Sequence, residues 1–207
     1  MNEKMIPSIV ISRLPKYLVT LERLHHEGKT TTSSSELGAL LNVTPAQIRK
    51  DLSFFGGFGK KGSGYAIPNL IQSIRTILNL NEVWDVAIVG AGKIGQAVAL
   101  YEGFINRGFS IKLLFDNDPQ KIGTEIGPFK IYDIHELPEK IKAQHIKVAL
   151  LAVPQIHAQE VANQLVQAGI KAILNYTPVY LTCPYPDVSV QQIDPILQLQ
   201  QMTYSIK

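Results

Sequence analysis

Over the first eighty residues the apolar positions fall three and four apart. Ile11, Leu14, Leu18, Leu21 and Leu24 form one such stripe, and Gly28 follows as a stop. That spacing predicts an amphipathic helix, with Pro15 marking its start or a bend, because a proline inside a helix clashes with the preceding turn. Ser34 or Ser35 offers a side-chain cap for a short helix from Glu36 to Leu41, with Leu37, Leu40 and Leu41 on its apolar face. Asn42-Val43 makes a tight turn. Thr44-Pro45-Ala46-Gln47 then has the chemistry of a helix start: Thr44 as cap, Pro45 where a missing N–H loses no partner, Gln47 able to close a capping box. The helix it opens runs to about Phe55 and turns Ile48, Leu52 and Phe55 inward. Leu70, Ile71, Ile74, Ile77 and Leu78 predict a fourth helix, Leu70 to Leu80.

Beyond a boundary at Asn79 to Trp84 the pattern changes. Val86 to Val89 is a continuous apolar run of strand length, Ser110 to Phe115 a second, and Lys147 to Val153 and Lys171 to Leu174 two more. His157 to Ala168 is amphipathic at helical spacing, as are Ile196, Leu197, Leu199, Met202 and Ile206 after a strand ending at Asp194. Strands alternating with helices predict an α/β fold with a doubly wound parallel sheet.

The first of these strands runs directly into Gly90-Ala91-Gly92-Lys93-Ile94-Gly95. In G-x-G-x-x-G the first glycine allows a tight turn, the second lets backbone approach a pyrophosphate, and the third lets helix and strand pack closely. Asp116 ends the second strand 21 residues after Gly95. An acid there suits a ribose 2′-hydroxyl and repels a 2′-phosphate, so NAD(H) is favoured over NADP(H). Loops at the strand C-termini line the ligand crevice of such a sheet, which is where Ala152-Val153-Pro154 and Asn175-Tyr176-Thr177-Pro178 fall. Asn175 and Thr177 have the groups to bond a carboxamide or ribose, or else shape a turn before Pro178.

Charge separates the two parts. Residues 1–80 hold ten Lys/Arg against five Asp/Glu, a net +5, whereas the remaining 127 residues carry a net −2. A basic N-terminal part attached to a mildly acidic one points to a polyanion partner for the first. A helix, a short turn and a capped helix make a helix-turn-helix. Pro45 and Ala46 open the third helix, and Gln47, Arg49, Lys50 and Ser53 lie off its apolar face. Gln and Arg suit adenine and guanine edges, while Lys and Ser suit phosphates; an ordinary solvated face is the alternative. Gly56 to Ile67 reads as a glycine-hinged hairpin with Lys60, Lys61, Gly62, Ser63 and Gly64 around its tip, a basic wing for the backbone or minor groove. The expected organisation is a winged-helix domain, 1–80, and a Rossmann-type nucleotide-binding and dimerisation domain with a C-terminal helix, 81–207.

Cys183 is the one cysteine of 207 residues, so the chain has neither an internal disulfide framework nor a multi-cysteine zinc site. The five histidines lack metal-ligand spacing. No apolar run reaches the ~18 residues of a membrane span, and the N-terminus lacks a signal-peptide core. A soluble cytoplasmic protein without a metal is expected.

The residues resemble the Rex family of redox-sensing transcriptional repressors over essentially the whole chain. The matching stretches are Ile11-Ser12-Arg13-Leu14-Pro15, Val43 to Gly56, Gly62-Ser63-Gly64-Tyr65, Val89-Gly90-Ala91-Gly92, Leu151-Ala152-Val153-Pro154 and Gly169 to Pro178. The resemblance implies a homodimer that binds an inverted-repeat operator when NADH is scarce and releases it when NADH binds. It also implies nucleotide contacts from the glycine loop, Asp116, Ala152-Val153-Pro154 and Asn175-Tyr176-Thr177-Pro178. Tyr101, on the helix after the glycine loop, matches the family position near the nicotinamide, and Asp194 the one that contacts the other subunit. Lys61 and Val19 stand where the family usually carries Arg. The apolar C-terminal stretch is a candidate dimer helix, with packing on its own sheet as the alternative. Two other classes share the nucleotide fold, a dehydrogenase and a CoA-binding domain. A second domain with a catalytic His/Arg or Lys/Tyr arrangement is missing for the first, and the 3′-phosphate of CoA sits poorly beside Asp116 for the second, so no enzyme activity is expected.

Overall fold

Two units of different make-up share the chain, Met1–Glu82 and Val83–Lys207, in a computed structural model that describes residues 6–56, 64–183, 185–204 and 206. In the first unit the leading stripe becomes two helices, α1 (Ser8–Ile11) and α2 (Leu14–His26). Pro15 lies in the first turn of α2, so the interruption is a start and not a kink. β1 (Thr31–Thr32), α3 (Ser34–Leu41), α4 (Pro45–Ser53), β2 (Tyr65–Ala66) and α5 (Ile67–Ile77) follow.

Several boundaries differ from expectation, each for a local reason. Ser33, and neither Ser34 nor Ser35, caps α3: its backbone is extended and its hydroxyl accepts from the Glu36 amide at 3.1 Å. α4 ends at Ser53, leaving Phe55 half-buried just beyond it. α5 begins three residues early because Pro68 occupies its first turn, and it stops short of Leu80, where Asn79 adopts a left-handed φ of +59°. Of the expected hairpin, residues 57–63 (with Lys60, Lys61, Gly62 and Ser63) lie outside the described residues. Its far end is described: β2 pairs antiparallel with β1, Thr32 opposite Tyr65, and Ile67 already belongs to α5.

Leu14, Leu21, Leu37, Ile48, Leu70 and Ile74 meet in one cluster drawn from four successive helices, α2 to α5. Each such side chain contributes ~1.5–3 kcal/mol by leaving water. Within the cluster lies one carboxylate. Asp51 of α4 has no solvent exposure and accepts from Arg13 Nε (2.6 Å) and Nη2 (2.8 Å), the Tyr17 hydroxyl (2.6 Å) and Gln47 Nε2 (2.7 Å). A buried charge needs such partners. Burial pushes the Asp51 carboxyl up, yet its bonds to Arg13, Tyr17 and Gln47 outweigh that and hold it below its usual range. Burial first, and then the adjacent carboxylate, push the Tyr17 phenol well above its own range, so it stays a donor.

In the second unit β3 (Trp84–Val89) lies between β4 (Phe109–Asp116) and β7 (Val148–Leu151), parallel to both. β5 (Glu125–Ile126) and β6 (Phe129–Asp133) extend the sheet beyond β4, and β8 (Ala172–Asn175) and β9 (Ser189–Gln192) beyond β7, giving the order β5-β6-β4-β3-β7-β8-β9. The parallel expectation holds except at one edge, where β5 pairs antiparallel with β6 through a turn with Gly127 at φ +56°. Alternate residues of β3 face opposite layers. Ala87 and Val89 pack toward α7 (Leu137–Ala143) and α8 (Ala158–Ala168); Val86 and Ile88 pack on the other face, with Ala99 of α6 (Lys93–Ala99). This is the doubly wound, Rossmann-type arrangement. Because the chain leaves β3 for β4 on one side and reaches β7 on the other, a crevice opens at the strand C-termini. β9 ends at Gln192 and not Asp194, which instead caps α9 (Pro195–Thr203) by accepting from the Ile196 amide at 2.9 Å. Ile196, Leu197, Leu199 and Met202 of α9 are exposed.

The depressed Asp51 carboxyl stabilises the fold above its unfolded pKa of about 3.9, and that contribution is lost as pH falls through the folded value. Asp51→Asn should therefore destabilise the protein by about 3 kcal/mol at neutral pH, leaving Arg13 unpaired. Denaturant titrations from pH 7 to pH 3 should show the gap between the two proteins closing on the acid side. A gap independent of pH would contradict an ionised Asp51.

Candidate functional site

The end of β3 is built by close backbone approach. Gly90 adopts φ +102°, and a Cβ there would run into the carbonyl of Ala152, at the end of β7. A Cβ on Gly95 would strike the carbonyl of Gly90, so the first turn of α6 lies against the loop it leaves. Gly92 is different. It caps α6 with an extended backbone that any residue adopts, and a Cβ there meets nothing within 4 Å. The loop is thus tight on the protein side and open on the other, as close approach of a phosphate requires.

A crevice of about 930 Å³ opens over this loop, a size suited to a cofactor. Gly90, Gly92, Lys93, Ile94, Asp116, Ala152, Val153 and Pro154 are brought together on its walls. Ala91 and Gly95 lie buried behind it. Asp116 is 7% exposed and holds the loop: it accepts from the Ala91 amide at 2.7 Å, the Asp118 amide at 2.9 Å and Lys121 Nζ at 3.2 Å. The expected free ribose acceptor is therefore largely committed within the chain. A carboxylate has about four acceptor positions, so one remains on this residue of the crevice wall.

Other expected residues sit elsewhere. Asn175 is fully buried and shapes its turn, correcting its expected bond to a ligand: Nδ2 donates to Val179 O (2.8 Å) and Gln192 Oε1 (2.7 Å), and Oδ1 accepts from the Thr177 amide (3.0 Å). Thr177 is also buried, yet its hydroxyl has no hydrogen-bond partner among the described residues. Tyr176 lines a smaller hollow of about 580 Å³ with Ile94 and Asp194, and Pro178 is exposed beyond it. Tyr101 is not on α6, which ends at Ala99; it is 56% exposed and set edge-on to Phe104. The open face at Gly92, on the wall of the crevice, fits a bound dinucleotide.

The third wall of the crevice was missed in the sequence. Asn117, Asp118, Lys121, Ile134, His135 and Pro138 line it. His135 Nδ1 lies 2.7 Å from Asp133, and the His135 amide first, then its ring, hold the Asp133 carboxyl low. The one available signal was the capping-box spacing of Asp133 and Glu136, which the structure forms.

On α4, Thr44 accepts from the Gln47 amide at 3.2 Å, but the Gln47 side chain turns to Asp51 and leaves the capping box unclosed. Ala46, Arg49, Lys50 and Ser53 are exposed, and Pro45 is half-buried at the helix start. Arg49 Nη1 donates to Ser34 Oγ at 2.9 Å, and Ser53 Oγ to the Lys50 carbonyl at 2.7 Å. Gly64, at φ +73°, lies against the Thr32 carbonyl. No group of His, Cys, Asp and Glu that could hold a metal occurs among the described residues, and no described helix is long and apolar enough to cross a membrane.

The chain matches the family described as "CoA binding domain" over residues 81–179, and that described as "Putative DNA-binding protein N-terminus" over residues 5–53. The "Redox-sensing transcriptional repressor Rex" of Chloroflexus aurantiacus is 52% identical over 198 residues, 96% of this chain and 93% of that protein. That of Carboxydothermus hydrogenoformans is 42% identical over 202 residues, 98% and 97% of the two chains. Among solved structures, RSP, a Rex-family repressor, aligns in its complex with β-NAD+ and operator DNA at TM-score 0.92 and 36% identity, covering 98% of this chain and 93% of that one. Its complex with β-NADH aligns at TM-score 0.89 and 35% identity, covering 98% and 95%.

The two glycines that flank Lys93 and Ile94 should separate binding from folding. Gly92→Val has room, so its stability should stay within about 1 kcal/mol of the parent while its bulk abolishes binding of NADH. Gly95→Val drives a side chain into the Gly90 carbonyl and should cost at least about 1–3 kcal/mol of stability. Thermal unfolding and calorimetric titration read the two effects; NADH binding to Gly92→Val at parental affinity would place the pyrophosphate elsewhere.

Proposed function

The chain belongs to the Rex family of redox-sensing transcriptional repressors, and on that footing we propose that it binds an inverted-repeat operator when NADH is low and leaves it when NADH binds. One observation carries the reading: a single chain holds a capped helix with exposed Arg49 and Lys50 and, in its other unit, a crevice floored by the open Gly92. It is a regulator and not an enzyme.

We assign DNA reading to residues 1–80 and nucleotide binding and dimerisation to 81–207. Symmetric half-sites call for two copies of the reading helix, hence a homodimer. The uncovered Ile196, Leu197, Leu199 and Met202 of α9 supply an apolar face for a second copy. The glycine loop, Ala152-Val153-Pro154 and the free edge of Asp116 take the nucleotide; Tyr101 and Asp194 take part in coupling between subunits. The protein acts in the cytoplasm, with the DNA it regulates, and needs neither a metal nor a membrane. CoA is the competing occupant. Its 3′-phosphate would meet Asp116 and Asp118 on one wall, which disfavours it.

Operator bound to the full-length protein should be released by NADH and retained in CoA or NADPH at equal concentration, read by fluorescence anisotropy. Retention in saturating NADH, or release by CoA alone, would overturn the proposal. Arg49→Ala should weaken operator binding by ~1–3 kcal/mol with NADH affinity unchanged. Replacing Lys60 and Lys61 together by alanine should weaken specific and non-specific DNA alike and reduce the salt slope by about one per lost contact.

A further inference from the structure

The helix that presents Arg49 and Lys50 carries a third polar side chain, Gln47, whose type and place suit an adenine edge. Its surroundings say otherwise. Gln47 and Asp51 are one helical turn apart on α4, so their side chains are neighbours. Gln47 Nε2 donates to Asp51 Oδ1 at 2.7 Å. The carboxylate accepts and cannot donate, which fixes the amide with nitrogen inward. Recognition of adenine by glutamine is bidentate and uses the amide nitrogen and oxygen together. Here one of the two N–H donors of that nitrogen is already held, by a group without solvent exposure, which fixes where the amide can point.

The other bonds to Asp51 come from α2 and the residue that precedes it. Arg13 donates twice, at 2.6 and 2.8 Å, and the Tyr17 hydroxyl once, at 2.6 Å. Ile48 and Leu52 anchor the same side of α4 by apolar packing, which is non-directional. The bonds to the buried carboxylate are directional.

We propose that Gln47 is a positioning residue and not a base reader: with Arg13 and Tyr17 it converges on the buried Asp51 and sets the roll of α4, leaving base discrimination to Arg49 and phosphate contact to Lys50. The proposal rests on the assignment of α4 to operator DNA. A base-reading Gln47 and a positioning Gln47 differ in what its loss does across a set of operators. Loss of a base contact relaxes preference at one base pair. Loss of roll control shifts every Arg49 and Lys50 contact at once.

The test uses the full-length protein, an operator, and a set in which each half-site base pair is changed in turn. Binding of the parent to the operator is measured first; its absence would overturn the DNA assignment itself, before any variant is compared. Gln47→Ala should then lose about three- to tenfold in affinity for the parent operator while keeping the rank order of base preferences at every position. Tyr17→Phe, which removes only a buried hydroxyl on α2, should show the same signature. The double variant should lose less than the product of the two, since both act through Asp51. NADH affinity and thermal unfolding of each variant report that the fold is intact. Relaxed preference at a single base pair in Gln47→Ala, or unchanged operator affinity in that variant, would overturn the proposal. Gln47→Ala decides the matter alone if Tyr17→Phe folds poorly.

Discussion

The backbones at the C-terminal end of β3 approach more closely than any side chain permits. Gly90 abuts the Ala152 carbonyl and Gly95 abuts the Gly90 carbonyl, so a single Cβ at either position would push apart the strand, its crossover helix and β7. Asp116 adds a bond from β4 to the Ala91 amide, and three neighbouring strand ends become one rigid rim. The crevice depends on that rim. Its floor is backbone, its open point is Gly92, and its charge is set by a carboxylate already tied to Lys121. A ligand recognised by such a floor is recognised by its phosphates, whose oxygens accept from main-chain amides.

The first unit solves a different problem with a different device. On α4 the buried Ile48 and Leu52 provide non-directional packing, whereas the bonds to the buried Asp51 are directional. Replacing such a buried charge network by apolar side chains often leaves stability unchanged, so its value lies in geometry as much as energy.

What was legible in the sequence follows from locality. The close packing at Gly90 and Gly95 was legible because a missing Cβ is a direct statement about backbone approach. The Thr44 cap and Pro45 start were legible because capping is settled within four residues. The bond from Gln47 to Asp51 was not legible, because the other ligands of that carboxylate, Arg13 and Tyr17, lie more than thirty residues away and no spacing rule reaches them. Asn175 looked like a ligand group because its loop sits at a strand end; only the pairing of β8 with β9 brings Gln192 to occupy its amide. The wall formed by Asn117, Lys121 and His135 carried no motif, since short elements such as β6 gain their order from the sheet they join. Helix ends erred where two signals competed, as Ser33 did with Ser34, or where a proline such as Pro68 was passed over.

Joining a dinucleotide crevice and an operator reader in one chain has a thermodynamic consequence. If NADH lowers operator affinity, the operator lowers NADH affinity by the same factor, whatever motion connects them, and such couplings commonly amount to ~1–3 kcal/mol. The direct measurement is a closed cycle on one preparation: NADH affinity with and without saturating operator, and operator affinity with and without saturating NADH. The account predicts a five- to 150-fold loss in both, equal within error. Equal NADH affinity in the presence and absence of operator would contradict it.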